Sequence, residues 1–332
     1  MPRFKAILVA ILFGALVAGA LRSRGAGAPP AKPGDPKNMG DDGSAGIARV
    51  APSNTGDTDA SYWRHLSEEQ QNQAVAALKT FAQKSADSLK HPLHLHESRH
   101  FLFYSDLSGI QAARYLSLLD RMYGKLSDLF GLQKGDNLWR GKSLVIVFNH
   151  IEDYREYERL IENDDPGGSF AITHCFGDGM VHMALYRYPD DVQFEHLLVH
   201  ESVHGFLHRY RSPARIPSWA NEGLADEAAS ELIFEKNRAK IMVGLARAGL
   251  AQHHDSVGDF FTASHIDGWQ YPIAETLCAW MIHHDRDGYL AFINGIKDGQ
   301  PWDESLKKNF KMSPDKLLSE YGKSIGVKGI KM

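Results

Sequence analysis

Residues 196–208 read His196-Leu197-Leu198-Val199-His200-Glu201-Ser202-Val203-His204-Gly205-Phe206-Leu207-His208. The four histidines recur at every fourth position, so on a helix they form a stripe along one face. Within the stripe, His200 to His204 has the pattern H-E-x-x-H. Two imidazoles one turn apart can chelate a metal ion, and Glu201 beside the first can reach a water on that metal as general base. The plainer reading is a polar helix face that happens to use histidine. The overlapping pairs His196/His200 and His204/His208 lack a Glu after their first member. His208 stands about 12 Å along the axis from His200 at 1.5 Å per residue, too far to join His200 and His204 on one metal.

A catalytic zinc takes three protein ligands and keeps one position open. Downstream stands Pro217-Ser218-Trp219-Ala220-Asn221-Glu222-Gly223-Leu224-Ala225-Asp226. Ser218 is expected to cap a second helix, with Glu222 about one turn in. Asp226, four residues later, shares its face and could accept the free N–H of a ligand imidazole, the contact that metal-bound histidines nearly always have.

The rest of the chain limits what such a site could serve. Its 332 residues include 17 histidines, 37 Lys+Arg and 41 Asp+Glu, a net charge of −4. No basic stripe is present, so a nucleic-acid partner is not expected. With 43% apolar and 23% charged residues the chain can bury a core without disulfide staples. Cys175 and Cys278 are too few for a four-Cys zinc site; they are open to one disulfide or two buried thiols.

Residues 1–20 read as an export signal: basic Arg3 and Lys5, the apolar run Ala6–Ala20, and the small-x-small end Ala18-Gly19-Ala20. An uncleaved membrane tether through residues 6–21, flanked by Arg22 and Arg24, is the alternative. Residues 21–58, rich in Gly, Pro, Ala, Asp and Ser, read as a disordered linker. A helix is expected over Ser67–Leu89, strands over His100–Ser105 and Ser143–Phe148, and helices over Ile110–Leu129 and Glu152–Glu162. Gly177-Asp178-Gly179 should turn a hairpin between Phe170–Cys175 and Met180–Tyr186. Beyond Val192 the pattern is almost wholly helical. Strands before helices indicate an α+β fold, with an α/β part over 59–191 and a helical part over 192–325.

HESVH followed by NEGLAD resembles the gluzincin zinc metallopeptidases, the thermolysin- and aminopeptidase-like superfamily, in motifs spanning His200 to Asp226. A looser similarity in the order of elements spans Leu95 to Tyr321. The resemblance implies a zincin-like fold: a small mixed or antiparallel sheet followed by a mostly helical half. It also implies that His200, His204 and Glu222 bind Zn2+, that Glu201 is the general base, and that Asp226 orients a ligand histidine. Aminopeptidase members carry Gly-x-Met-Glu-Asn ahead of the zinc helix; Gly179-Met180-Val181-His182-Met183 has neither the Glu nor the Asn, so selective aminopeptidase activity is not implied. The hairpin strand Met180–Tyr186 is open to two readings, an edge along which peptides lie or an ordinary sheet strand. The family draws its oxyanion donor, a Tyr or His, from the helical half. Tyr271, before Pro272, is the first choice, with packing at a helix start as the competing view and His265 as the second candidate. The expectation is a secreted or envelope-tethered zinc peptidase acting on a peptide or protein substrate. The alternative is a catalytically inactive binding protein on the same scaffold.

Overall fold

Ser143–Phe148 reads SLVIVF, and all of its residues are buried, which requires a layer of structure on each face. The computed structural model describes residues 62–89 and 92–332. The leader expected over 1–20 and the linker over 21–58 lie outside the described residues. The sheet contains β1 (His94–Glu97), β2 (Phe101–Ser105), β3 (Ser143–Phe148), β4 (Ala171–Cys175) and β5 (Val181–Tyr186). Its order is β1-β2-β3-β5-β4. The inner strands β2, β3 and β5 run parallel, while β1 and β4 pair antiparallel at the two edges.

Side chains alternate faces along each strand, which sorts the apolar residues into two cores. Leu102, Tyr104, Ile146, Phe148 and Ala184 pack on α1 (Glu68–Leu89) and α3 (Ile151–Tyr157). Their neighbours Phe103, Val145, Val147, Met183 and Leu185 face a larger core shared with α2 (Gly109–Leu129) and α4 (Asp191–Arg209). Helix α2 starts at a capping box, Ser108 with Gln111, and buries Tyr115, Leu119, Met122 and Leu126 at helical spacing. The fold is α+β: a small mixed five-stranded sheet in a mostly helical molecule. No helix among the described residues is long and apolar enough to cross a membrane.

The helical half continues through α5 (Ser218–Leu232), α6 (Arg238–Gln252), α7 (Tyr271–His284), α8 (Arg286–Lys297), α9 (Trp302–Ser305) and α10 (Pro314–Ile325). Two glycines set its spacing. A Cβ at Gly205 would lie 2.7 Å from Val181 Cγ1, so glycine lets α4 settle on β5. A Cβ at Gly223 would run into the Ala274 carbonyl and sit 2.6 Å from Cys278 Sγ, so glycine lets α5 lie against α7. Trp219, fully buried at the start of α5, is surrounded by Phe260, Phe261, Phe292 and Trp302 at ring distances of 5.5–6.1 Å. That aromatic cluster fixes where α5 begins.

Several expectations change. Met180–Tyr186 is not an edge strand: β5 lies between β3 and β4, and β4 is the edge. The parallel pairing of β5 with β3 fills one side of β5 and the hairpin fills the other. Helix α5 is entered through Pro217, whose side chain offers no cap, and Ser218 is its first residue rather than its cap. The helix expected over Glu152–Glu162 stops at Tyr157 and continues as a π-helical turn, Glu158–Glu162, closed by Asn163 at φ 53°. His94 and His96 belong to β1, but His100 precedes β2 and stacks on Tyr123 at 3.8 Å.

Candidate metal centre

Helix α4 is capped by Asp190, which accepts from the Gln193 amide at 2.9 Å, and is buried along nearly its whole length between the sheet and α5. A helix in that position turns its histidine stripe toward different neighbours, and those neighbours distinguish the four residues. His200 and His204 face α5, where Glu222 meets them. His200 Nε2 and His204 Nε2 lie 2.9 Å apart, and Glu222 Oε2 lies 3.3 and 3.6 Å from them. Tetrahedral zinc with bonds near 2.1 Å separates its ligand atoms by about 3.4 Å, so these distances bracket the requirement. Among the described residues this is the one group of three His, Cys, Asp or Glu side chains whose ligand atoms lie within 4.8 Å of one another.

The donor set also has unmet needs that a cation would satisfy. Glu222 is buried and its Oε2 accepts no hydrogen bond. Such an orphaned acceptor costs about 1–3 kcal/mol, more when charged. His200 Nδ1 lies 2.8 Å from Asp226 Oδ1. With Nδ1 donating to Asp226, the proton that a bound metal would displace is the one on Nε2, which faces Glu222. Burial would lower the His200 pKa, but the Asp226 charge and hydrogen bond outweigh it and hold the ring well above its ordinary value.

Glu201 is fully buried, and its side chain turns the other way, toward β4. Thr173 Oγ1 donates to Glu201 Oε2 at 2.7 Å, while Oε1 has no partner. Burial pushes the Glu201 carboxyl up to about 7, against the opposing effects of the His200 charge and the Thr173 hydrogen bond. One oxygen is thus anchored and the other is unengaged, the arrangement of a base that must be oriented and yet available.

The remaining candidates separate. His196 is buried one turn before His200 and stands outside the triad. His208 Nε2 binds the Phe176 carbonyl at 3.1 Å, and its ring lies against Trp63. Tyr271 opens α7 and is buried; burial first, then the charges of Glu222, Asp226 and Glu201, raise its phenol pKa. His265 is exposed on the wall of a cavity of about 520 Å³ that His204 and Asn221 also line. Cys175 and Cys278 are both free thiols.

Two residues near the site escaped the sequence reading. Thr173 lies in an edge strand with no motif around it. Asn221, adjacent to Glu222, lies beside His204 on the cavity wall; its place in the N-E pair was the available signal. Compared with known protein families and curated proteins, the chain matches no family model and no curated sequence.

Proposed function

We propose that this protein is a zinc-dependent peptidase with a zincin-like fold of the gluzincin type. The observation that carries the reading is the convergence of His200 and His204 with Glu222 from a second helix, beside a buried carboxylate held by one oxygen only. His200, His204 and Glu222 would hold the ion. When bound, zinc supplies Lewis acidity toward the scissile carbonyl and a water acidic enough to give up a proton near neutral pH.

Glu201 takes that proton on its unengaged Oε1, with Thr173 steadying Oε2, and delivers it to the departing amine. Asp226 holds His200 in its ligating orientation. Tyr271 donates its phenolic hydrogen to the oxyanion as the carbonyl becomes tetrahedral. The edge strand β4, with Thr173 and Cys175 beside the site, offers backbone groups along which an extended peptide can pair. Export through the apolar run 6–20 completes the reading, and N-terminal sequencing of the exported protein checks it: cleavage begins the chain near Leu21, whereas an intact Met1 with membrane retention shows an anchor.

Reconstituted protein is expected to hold about one zinc per chain and to cleave members of a mixed peptide library, with activity lost to chelator. His200→Ala, His204→Ala and Glu222→Ala should each lose the metal. Elemental analysis finding no zinc in the wild type ends this reading. Zinc without hydrolysis of any peptide leaves a binding module.

A further inference from the structure

The cavity beside the metal centre has a charge of its own. Besides His204 and Asn221 it is lined by Cys175, Arg215, His265 and Lys297, and no lining residue is acidic. Lys297, the last residue of α8, is buried at 3% exposure, an unusual position for an ammonium group. Its Nζ donates to the carbonyls of Ser212 and Ala214 at 2.9 and 2.8 Å. An ammonium has three N–H groups, so one donor remains beyond these two. Among the described residues no carboxylate forms an ion pair with Lys297 or with the exposed Arg215 guanidinium.

Burial pushes the Lys297 ammonium down to about 7, so an anion in the cavity would hold the charge that the Ser212 and Ala214 carbonyls alone do not secure. The lining offers Arg215 and this lysine and no carboxylate of its own. We propose that this cavity is the substrate's specificity pocket and that it takes a carboxylate, received by Arg215 with Lys297 behind it and His265 at its wall. The inference rests on the peptidase reading of the neighbouring site and names its substrate class: peptides carrying a carboxylate next to the scissile bond. A carboxylate reaches such a pocket either on an internal Asp or Glu side chain or as the free C-terminus, and the two sources imply an acidic-residue endopeptidase or a carboxypeptidase.

The test needs no catalysis. Three probes are titrated calorimetrically into the metal-free full chain, so that no carboxylate can bind zinc. They are acetyl-Ala-Glu-amide (side-chain carboxylate), acetyl-Ala-Gln as free acid (terminal carboxylate) and the neutral acetyl-Ala-Gln-amide. One charged probe should bind at least about tenfold tighter than the neutral one, the effect of a single charge-assisted hydrogen bond. Which of the two does so identifies the source. Arg215→Gln, at an exposed position, should reduce the preference toward unity, and Arg215→Glu should favour acetyl-Ala-Lys-amide instead. Lys297→Met should also reduce it where the variant folds. Equal binding of all three probes, or a preference unchanged in Arg215→Gln, overturns the proposal. Carboxylate preference without hydrolysis of any peptide by zinc-loaded protein retires the peptidase reading and leaves the pocket standing. Hydrolysis without charge preference does the reverse.

Discussion

Two buried clusters of histidine and glutamate lie on opposite faces of the same β-hairpin. On one face, Thr173 of β4 reaches the centre formed by His200, His204, Glu201 and Glu222. On the other, His174 of β4 and His182 of β5, directly paired in register, meet Glu158 and Glu162 of the π-helical turn. All four residues of the second cluster are buried. Yet their lone pairs do not converge. His174 Nε2 pairs with Glu158 Oε2 at 2.9 Å, His182 Nδ1 stands 3.8 Å from Glu162 Oε1, and the Tyr157 hydroxyl donates to Glu162 at 2.6 Å. Each carboxylate has its own partner. In the first cluster one carboxylate oxygen is shared by two imidazoles and bonded by neither. Composition and burial are alike in the two places, and both leave buried polar atoms without hydrogen-bond partners, but only in the first do three ligand atoms converge on one point. This is why the first reads as a metal centre and the second as a structural clasp between the hairpin and α3.

The largest effect separates the clusters by chemistry. Glu201→Gln keeps shape and cannot take a proton, so kcat should fall about 10²- to 10⁴-fold while zinc content stays at one per chain. Full activity in this variant would remove Glu201 from the mechanism and leave the two clusters equally structural.

The clasp should respond in the opposite way. Breaking one partner of a buried ion pair costs about 3–5 kcal/mol, so His174→Ala should lower stability to denaturant by that order without changing zinc stoichiometry in the folded fraction. Loss of zinc from folded His174→Ala protein would show that the hairpin couples the clusters and would break the comparison.

Tyr271 tests how far the first cluster extends. Removal of one oxyanion donor typically costs about 10²- to 10³-fold in kcat, or roughly 2.7–4 kcal/mol. Tyr271→Phe preserves the buried ring, so kcat should fall by that factor with zinc content and melting temperature nearly unchanged. A kcat within about twofold of wild type, under 0.5 kcal/mol, makes the ring packing alone. A larger loss in His265→Ala transfers the donor role to that cavity-wall residue.

The two clusters were also unequally legible in the sequence. A spacing of four on a helix is a contact rule, so His200 with His204, and Glu222 with Asp226, could be read from residue numbers, while the meeting of the two pairs was implied by the resemblance of HESVH and NEGLAD to a known motif pair. The clasp draws on two strands and a π-helical turn. Glu158 and Glu162, four apart in a charged segment, look like a solvated helix face. The widened turn and the hairpin register that bring them to His174 and His182 have no local signature. Sheet order was hidden for a similar reason. The apolar patterns of β4 and β5 specify that both are buried but not which one pairs with β3. The α+β class, set by element type and order, was readable, whereas the edge strand next to the site was not.

Acid should move the clusters in opposite directions. A histidine must be neutral to ligate, so protons compete with zinc, and occupancy at His200 and His204 should fall as pH drops below neutrality. In the clasp, burial alone would lower the His174 pKa; the hydrogen bond and charge of Glu158, with Glu162, outweigh it and raise the ring above 6.5. A histidine pKa raised by folding adds stability that is complete below the unfolded value and is lost as pH rises through the folded one. Glu162, held down to about 2 against burial by His182, His174 and Tyr157, remains charged throughout that window, while burial raises the Glu158 carboxyl, so its part in the clasp weakens toward the acid end. His100 and His208, pushed to about 4 by burial, destabilise the whole protein in acid, so the wild-type melting curve mixes opposing contributions. The comparison to make is therefore the melting-temperature difference between metal-free wild type and His174→Gln. It should be widest at about pH 5–6 and narrow as pH rises above 6.5, by a few degrees at roughly 2–4 °C per kcal/mol. A difference that widens with rising pH would mean that His174 is neutral in the folded protein and that the clasp is hydrogen-bonded but uncharged.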